Sequence, residues 1–155
     1  MLQGSRREAR ERALELLYEA EAKAQPVAEV LRDLPISPDP FAVALVTGVG
    51  ERLAELDAHI GRLARDWTVE RMPWVDRSIL RLGAFELVAR PDVPTGVILS
   101  EAVELAKRFS TEEAGRFVNG LLSNLARQVR VPAEREVLGP SGPAAEGEPP
   151  ATARG

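Results

Sequence analysis

The stretch Ile98–Val129, ILSEAVELAKRFSTEEAGRFVNGLLSNLARQV, decides the fold. At about 100° per residue it reads as two apolar-periodic segments broken by Ser110-Thr111. On the first, Ile98, Leu99, Ala102, Leu105, Ala106 and Phe109 gather on one side, with Glu101, Glu104, Lys107 and Arg108 opposite. That pattern predicts an amphipathic helix. On the second, Ala114, Phe117, Val118, Leu121, Leu122, Leu125 and Val129 form a stripe wide enough for more than one neighbour. The two segments are predicted to make a helical hairpin at the centre of the fold.

Working outward, Trp74–Arg90 carries Val75, Ile79, Leu80, Leu82, Ala84, Phe85, Leu87 and Val88 nearly all round the wheel, the signature of a helix covered on several sides. Glu86 falls between Val75 and Ile79 on that wheel. A carboxylate there needs either a nearby arginine or a partner at the surface. Pro91 and Pro94 separate this helix from the hairpin. Upstream, Asp39-Pro40 reads as N-cap and first helical residue, and Phe41, Leu45, Val49, Leu53, Leu56, Ile60 and Leu63 predict one long helix to about Arg65. Gly48 and Gly50 inside it suggest a close helix crossing, since each glycine costs about 1 kcal/mol against alanine.

Ser5-Arg6-Arg7-Glu8 has the S-x-x-E form of a capping box. It opens a helix from about Arg6 to Ala24, with Ala9, Ala13, Leu16, Leu17 and Ala20 in register and Pro26 as its stop. Arg6, Arg7, Arg10 and Arg12 crowd its first turns, where the helix dipole disfavours cations. The pairs Arg7 with Glu11 and Glu8 with Arg12 offset part of that cost. A short helix is predicted from Pro26 to about Asp33, and a connection with one helical turn from Trp67 to Pro73. The layout is all-α, six to seven helices in two groups of three. One helical domain spans residues 1–131. A Pro/Gly/Ala-rich stretch without apolar period, 132–155, reads as a disordered tail.

The totals narrow the function. In 155 residues, 20 basic and 24 acidic side chains leave a net charge of −4, so nucleic acid cannot be held by the whole surface. Any such contact is local. The absence of cysteine excludes disulfides, zinc-thiolate sites and thiol catalysis, and the single His59 cannot assemble a metal cluster. No run approaches the roughly 20 apolar residues of a membrane span, and the amino end lacks the apolar stretch of a signal peptide. A cytoplasmic protein without membrane contact is predicted. No phosphate-cradling loop, His-Glu-x-x-His pattern or nucleophile elbow occurs. Glu101 with Glu104 and Glu112-Glu113 sit on charged faces, where Glu104 with Arg108 is an ordinary ion pair. Binding is the class that remains.

The residues Arg6-Arg7-x-Ala9-Arg10-Glu11 with Ala13 and Leu17-Tyr18, then Ile79-Leu80-Arg81, Phe85-Glu86-Leu87 and Pro94, then Glu101 to Lys107 and Phe117-Val118-Asn119-Gly120, closely resemble the NusB family of bacterial transcription factors. The resemblance runs in order from about Ser5 to Arg130. It implies an all-helical, non-catalytic RNA-binding protein without cofactor or metal. Such a protein pairs with ribosomal protein NusE, binds single-stranded boxA RNA and joins the RNA polymerase antitermination complex of ribosomal RNA operons.

By position, Arg6, Arg7 and Arg10 lie in the RNA-binding amino end, with Tyr18 two turns on as a stacking ring or a buried core residue. Glu86, Asn119, Gly120 and Ser123 match the partner-facing surface. Glu8, Ser100 and Ser123 depart from the family pattern: a further basic residue, an asparagine and an aspartate stand there in other members. Two alternatives stay open: the NusB-like portion of a ribosomal RNA methyltransferase, and a helical scaffold that forms a homodimer.

Overall fold

In the computed structural model, residues 5–65 and 67–130 are described. They form α1 (Arg6–Lys23), α2 (Val27–Arg32), α3 (Pro40–Glu51), α4 (Leu53–Leu63), α5 (Trp74–Ala89), α6 (Thr95–Phe109) and α7 (Glu112–Val129), with a 3-10 turn at Val69–Arg71. The disordered tail expected at 132–155 lies outside the described residues. Among those described, no helix is long and apolar enough to cross a membrane.

The capping box forms as the sequence predicts: Ser5 Oγ accepts the Glu8 N–H at 3.1 Å, and the Glu8 carboxylate accepts the Ser5 N–H at 3.1 Å. Helix α1 ends at Ala24, which adopts a left-handed conformation with φ 53° and ψ 45°. A side chain is strained there. Asp39 caps α3 through Phe41 N–H at 2.7 Å, with Pro40 in the first turn.

The single long helix predicted from Pro40 to Arg65 is corrected to two. Arg52, at φ −115° and ψ 20°, breaks it between α3 and α4. Two glycines in the last turns of α3 weaken the helix, and both halves then pack independently against α5. The apolar spacing ran through the break because both halves face the same neighbour. Gly48 marks the crossing itself: a Cβ there would stand 2.2 Å from two carbons of the Phe85 ring.

Helix α5 is the axis. It contacts α1, α3, α4, α6 and α7, and buries Ile79, Leu80, Leu82, Ala84, Phe85 and Leu87. Helices α1 to α3 pack on one side of it and α4, α6 and α7 on the other, so the expected two groups hold three and four helices once α5 is counted with the second. Its carboxyl end is closed by Arg130, whose guanidinium donates to the carbonyls of Glu86 (3.0 Å), Leu87 (2.9 Å), Arg90 (2.7 Å) and Val93 (2.8 Å). A cation at a helix carboxyl end bonds its last carbonyls and suits the negative end of the helix dipole.

Helices α6 and α7 form the predicted hairpin, the most extensively packed pair in the fold. Thr111 Oγ1 caps α7 by accepting the Ala114 N–H at 2.9 Å. Gly115 permits the close approach, since a Cβ there would stand 3.1 Å from Lys107 Cγ. Phe109, expected in the apolar stripe, is 45% exposed. It is the last residue of α6, and its ring lies beneath the Arg108 guanidinium, 5.2 Å away, rather than in the core.

Gly48→Ala should lose stability by about 1–3 kcal/mol, because overpacking outweighs the gain in helix propensity. Ala24→Gly should gain about 1 kcal/mol by relieving the left-handed residue. Urea unfolding checks both; a stabilised Gly48→Ala would contradict the tight crossing.

Candidate RNA and partner interface

The arginines at the start of α1 do not share one environment. Arg6 lies over the Phe41 ring, 4.2 Å from its centroid, and makes no ion pair among the described residues. Arg7 reaches α6, where its Nε and Nη2 donate to the two carboxylate oxygens of Glu101 at 3.1 and 2.8 Å. This fork holds the Glu101 carboxyl below its ordinary range, against the desolvation that would raise it. Arg10 turns inward. Its Nε and Nη2 donate to Glu86 at 2.8 and 2.7 Å, with the residues only 4% and 2% exposed.

That buried pair corrects the surface placement expected of both residues. Glu86 lies where α5 is covered by α1, so the nearby arginine, and not a partner, answers its charge. The local pairs expected on α1 are also replaced. Glu8 is engaged in the cap, Arg12 bonds Glu15 at 3.1 Å, and Glu11 bonds Arg108 of α6. Arg108 is therefore turned away from the expected partner Glu104. Two charge pairs, Arg7 with Glu101 and Glu11 with Arg108, thus tie α1 to α6.

Of the two roles open to Tyr18, the buried one is excluded, since the residue is 46% exposed. Its ring stacks at a tilt on Trp74, with centroids 4.1 Å apart. Contacts of Arg10 with Glu86, Tyr18 with Trp74 and Glu21 with Arg77 show α1 and α5 running antiparallel. Tyr18 consequently stands beside the amino end of α5, and the arginines beside its carboxyl end. From Arg6 to Tyr18 the helix rises roughly 18 Å.

At that amino end lies a residue the sequence reading missed. Asp76 is 4% exposed, and its Oδ1 finds no hydrogen-bond partner among the described residues. It lines a cavity of about 750 Å³ with Trp67, Arg116, Phe117, Gly120 and Asn124. Trp67, 44% exposed, meets Phe117 edge-on with centroids 5.6 Å apart. In sequence, an aspartate in the first turn of a helix reads as routine dipole compensation, so nothing marked it out.

Of the residues expected to face a partner, Gly120 lines this cavity, and a Cβ there would meet nothing within 4 Å. Asn119 is exposed and borders a separate shallow depression between α6 and α7. Ser123 is half-buried on α7. Glu86 joins none of them. Among the described residues no group of three His, Asp or Glu side chains is arranged to hold a metal.

Comparison with known proteins gives a consistent picture. The NusB family model matches residues 7–127. The transcription antitermination protein NusB of Thermobifida fusca is 48% identical over 126 residues, covering 79% of this chain and 89% of that protein. That of Sorangium cellulosum is 46% identical over 132 residues, covering 81% and 94%. Among solved structures, T. maritima NusB superposes with a TM-score of 0.78 at 31% identity, covering 87% of this chain and 99% of that one. A chain from the crystal structure of antitermination factors NusB and NusE in complex with dsRNA gives 0.68 at 28% identity, covering 79% and 96%.

Glu86→Ala should destabilise the protein by about 3–5 kcal/mol, because it strands the buried Arg10 guanidinium. Chemical denaturation measures this. A loss within ~0.5 kcal/mol, as at ordinary surface positions, would contradict the burial.

Proposed function

The chain belongs to the NusB family, and from that premise we propose that it is a non-catalytic, cytoplasmic transcription antitermination factor that binds RNA together with the ribosomal protein NusE. The observation that carries this reading is the structural likeness to the NusB chain solved with NusE and RNA, across 79% of this chain. The RNA of that complex is double-stranded. For this protein we assign boxA-type single-stranded RNA of ribosomal RNA operons, which accords with its small, local set of exposed guanidinium groups.

Arg6 and Arg7 are the proposed phosphate ligands. Arg6 is held against Phe41 with no carboxylate on it, and an arginine fork suits a phosphate. Arg10 supports them from within by fixing α1 on α5. Tyr18, half open and backed by Trp74, offers a ring on which a base can stack.

Asp76 is the proposed anchor for the ribosomal protein, with Gly120 of α7 lining the same cavity, and Asn119 and Ser123 are proposed as further contacts elsewhere on α7. A buried carboxylate oxygen without a donor is unfavourable, and a donor supplied by the partner would complete it. The exposed Trp67 beside it fits the aromatic enrichment of interface centres.

Arg6→Ala combined with Arg7→Ala should weaken boxA binding about tenfold or more at 0.1 M salt, and flatten the salt slope by about 1.4 if both contact single-stranded phosphate. Fluorescence anisotropy over a salt series reads both quantities, and unchanged affinity would remove the RNA assignment. Asp76→Asn should leave the fold as stable or more stable while lowering NusE affinity about tenfold, the loss of one charge-assisted bond of ~1.5 kcal/mol. Calorimetric titration with NusE would reject the anchor if affinity is retained.

A further inference from the structure

Arg7 is assigned to RNA, yet in the free protein its recognition edge is already occupied. Glu101 accepts from Nε and Nη2 together, the side-on fork by which a guanidinium also takes a phosphate. The carboxylate is seated and the guanidinium is not: the Glu101 side chain is 15% exposed and that of Arg7 55%. Glu104 and Glu11 add their fields at the same guanidinium. One carboxylate is thus bonded to this cation, and two more act on it through their fields alone. Arg6, one residue earlier, has none bonded to it among the described residues.

An incoming phosphate has two routes to Arg7. It can displace Glu101 from the fork, which leaves that carboxylate partly buried without its donors. Otherwise it can take the remaining Nη1 edge, beside the bonded Glu101 carboxylate. Either route lowers the affinity that Arg7 alone would confer.

We propose that Glu101 is a built-in competitor of RNA phosphate at Arg7, holding RNA affinity low so that capture of the transcript depends on the added surface of NusE. The inference rests on the reading above that Arg7 meets RNA. It makes Glu101 a residue that sets partner dependence, without itself touching the transcript.

The test compares the full chain with Glu101→Gln, Glu104→Gln, Arg7→Ala and the double variant Glu101→Gln/Arg7→Ala. Each is titrated with fluorescent boxA RNA with and without NusE, after thermal unfolding has shown it folded. Glu101→Gln should tighten RNA binding without NusE about threefold to tenfold, by freeing for phosphate a guanidinium that the carboxylate otherwise occupies. The gain conferred by NusE should shrink correspondingly. Glu104→Gln, which removes only a field at Arg7 and no bond, should tighten binding by a smaller factor. The double variant should bind as weakly as Arg7→Ala.

Glu101→Gln that weakens binding would show that the carboxylate positions Arg7, and overturns the competition. So does unchanged binding in Glu101→Gln alongside a clear loss in Arg7→Ala; in both cases the RNA assignment of Arg7 survives. Unchanged binding in Arg7→Ala overturns that assignment and the competition with it.

Discussion

The fork between Arg10 and Glu86 is the constraint on which the rest of the molecule depends. Glu86 sits on a helix that is apolar nearly all round, and such a helix must be covered on every side. A carboxylate so placed is tolerable only with a donor that reaches both of its oxygens. Arg10 is that donor, and meeting it fixes the rotation and height of α1 against α5. The cap at Ser5 then starts α1 at a defined point, and Arg6 and Arg7 emerge one turn beyond the buried pair. The electrostatics of the interior thus determine which guanidinium groups are available outside. Arg130 extends the same logic to the end of α5: its guanidinium takes the Leu87 carbonyl and adds a second donor to the Glu86 carbonyl, which already accepts the Arg90 N–H at 2.9 Å.

Features set by neighbours in sequence were legible before any coordinates. The capping box at Ser5, the hairpin of α6 and α7 broken at Ser110-Thr111 and the many-sided burial of α5 all follow from local spacing and the polarity of nearby residues. Features set by distant residues were only partly so. The wheel showed that Glu86 needed a counter-charge, but it could not choose between an arginine 76 positions away and a partner molecule. Tyr18 lies at the edge of its stripe, and only the placement of Trp74 decides that its ring is stacked and half open. The kink at Arg52 escaped because the two halves of the helix turn their apolar faces to the same helix, which leaves the periodicity intact. Asp76 escaped for a different reason. Its position is chemically ordinary in sequence, and becomes unusual only when burial and the missing hydrogen bond are known.

Charge is distributed so that most of the basic amino end serves the fold. Arg7, Arg10 and Arg12 are paired with Glu101, Glu86 and Glu15, and Arg90 with Asp92. The Phe41 ring gathers Arg6, Arg10 and Arg90 within 4.2, 5.2 and 5.1 Å of its centroid. An aromatic face lets these guanidinium groups approach one another more closely than their charges alone would favour. The cluster gains stability from its neighbours, and it presents few net positive charges to solvent. A net acidic chain can in this way carry an RNA-facing corner without becoming a general polyanion binder.

The proposed sites occupy opposite ends of α5. Asp76 opens at its first turn and the arginine corner lies against its last, and ten residues of helix separate Asp76 from Glu86 by roughly 15 Å. Between them α5 is packed against five other helices. A rigid spacer of this kind transmits little by shape change. In the proposed function, cooperation between partner and transcript arises from simultaneous engagement. With the ribosomal protein seated at one end, RNA that touches both proteins gains contacts that neither offers alone, and the second contact forms at a high effective concentration. Weak affinity at the arginine corner is compatible with that arrangement and makes it selective, since RNA that meets the corner by itself is released.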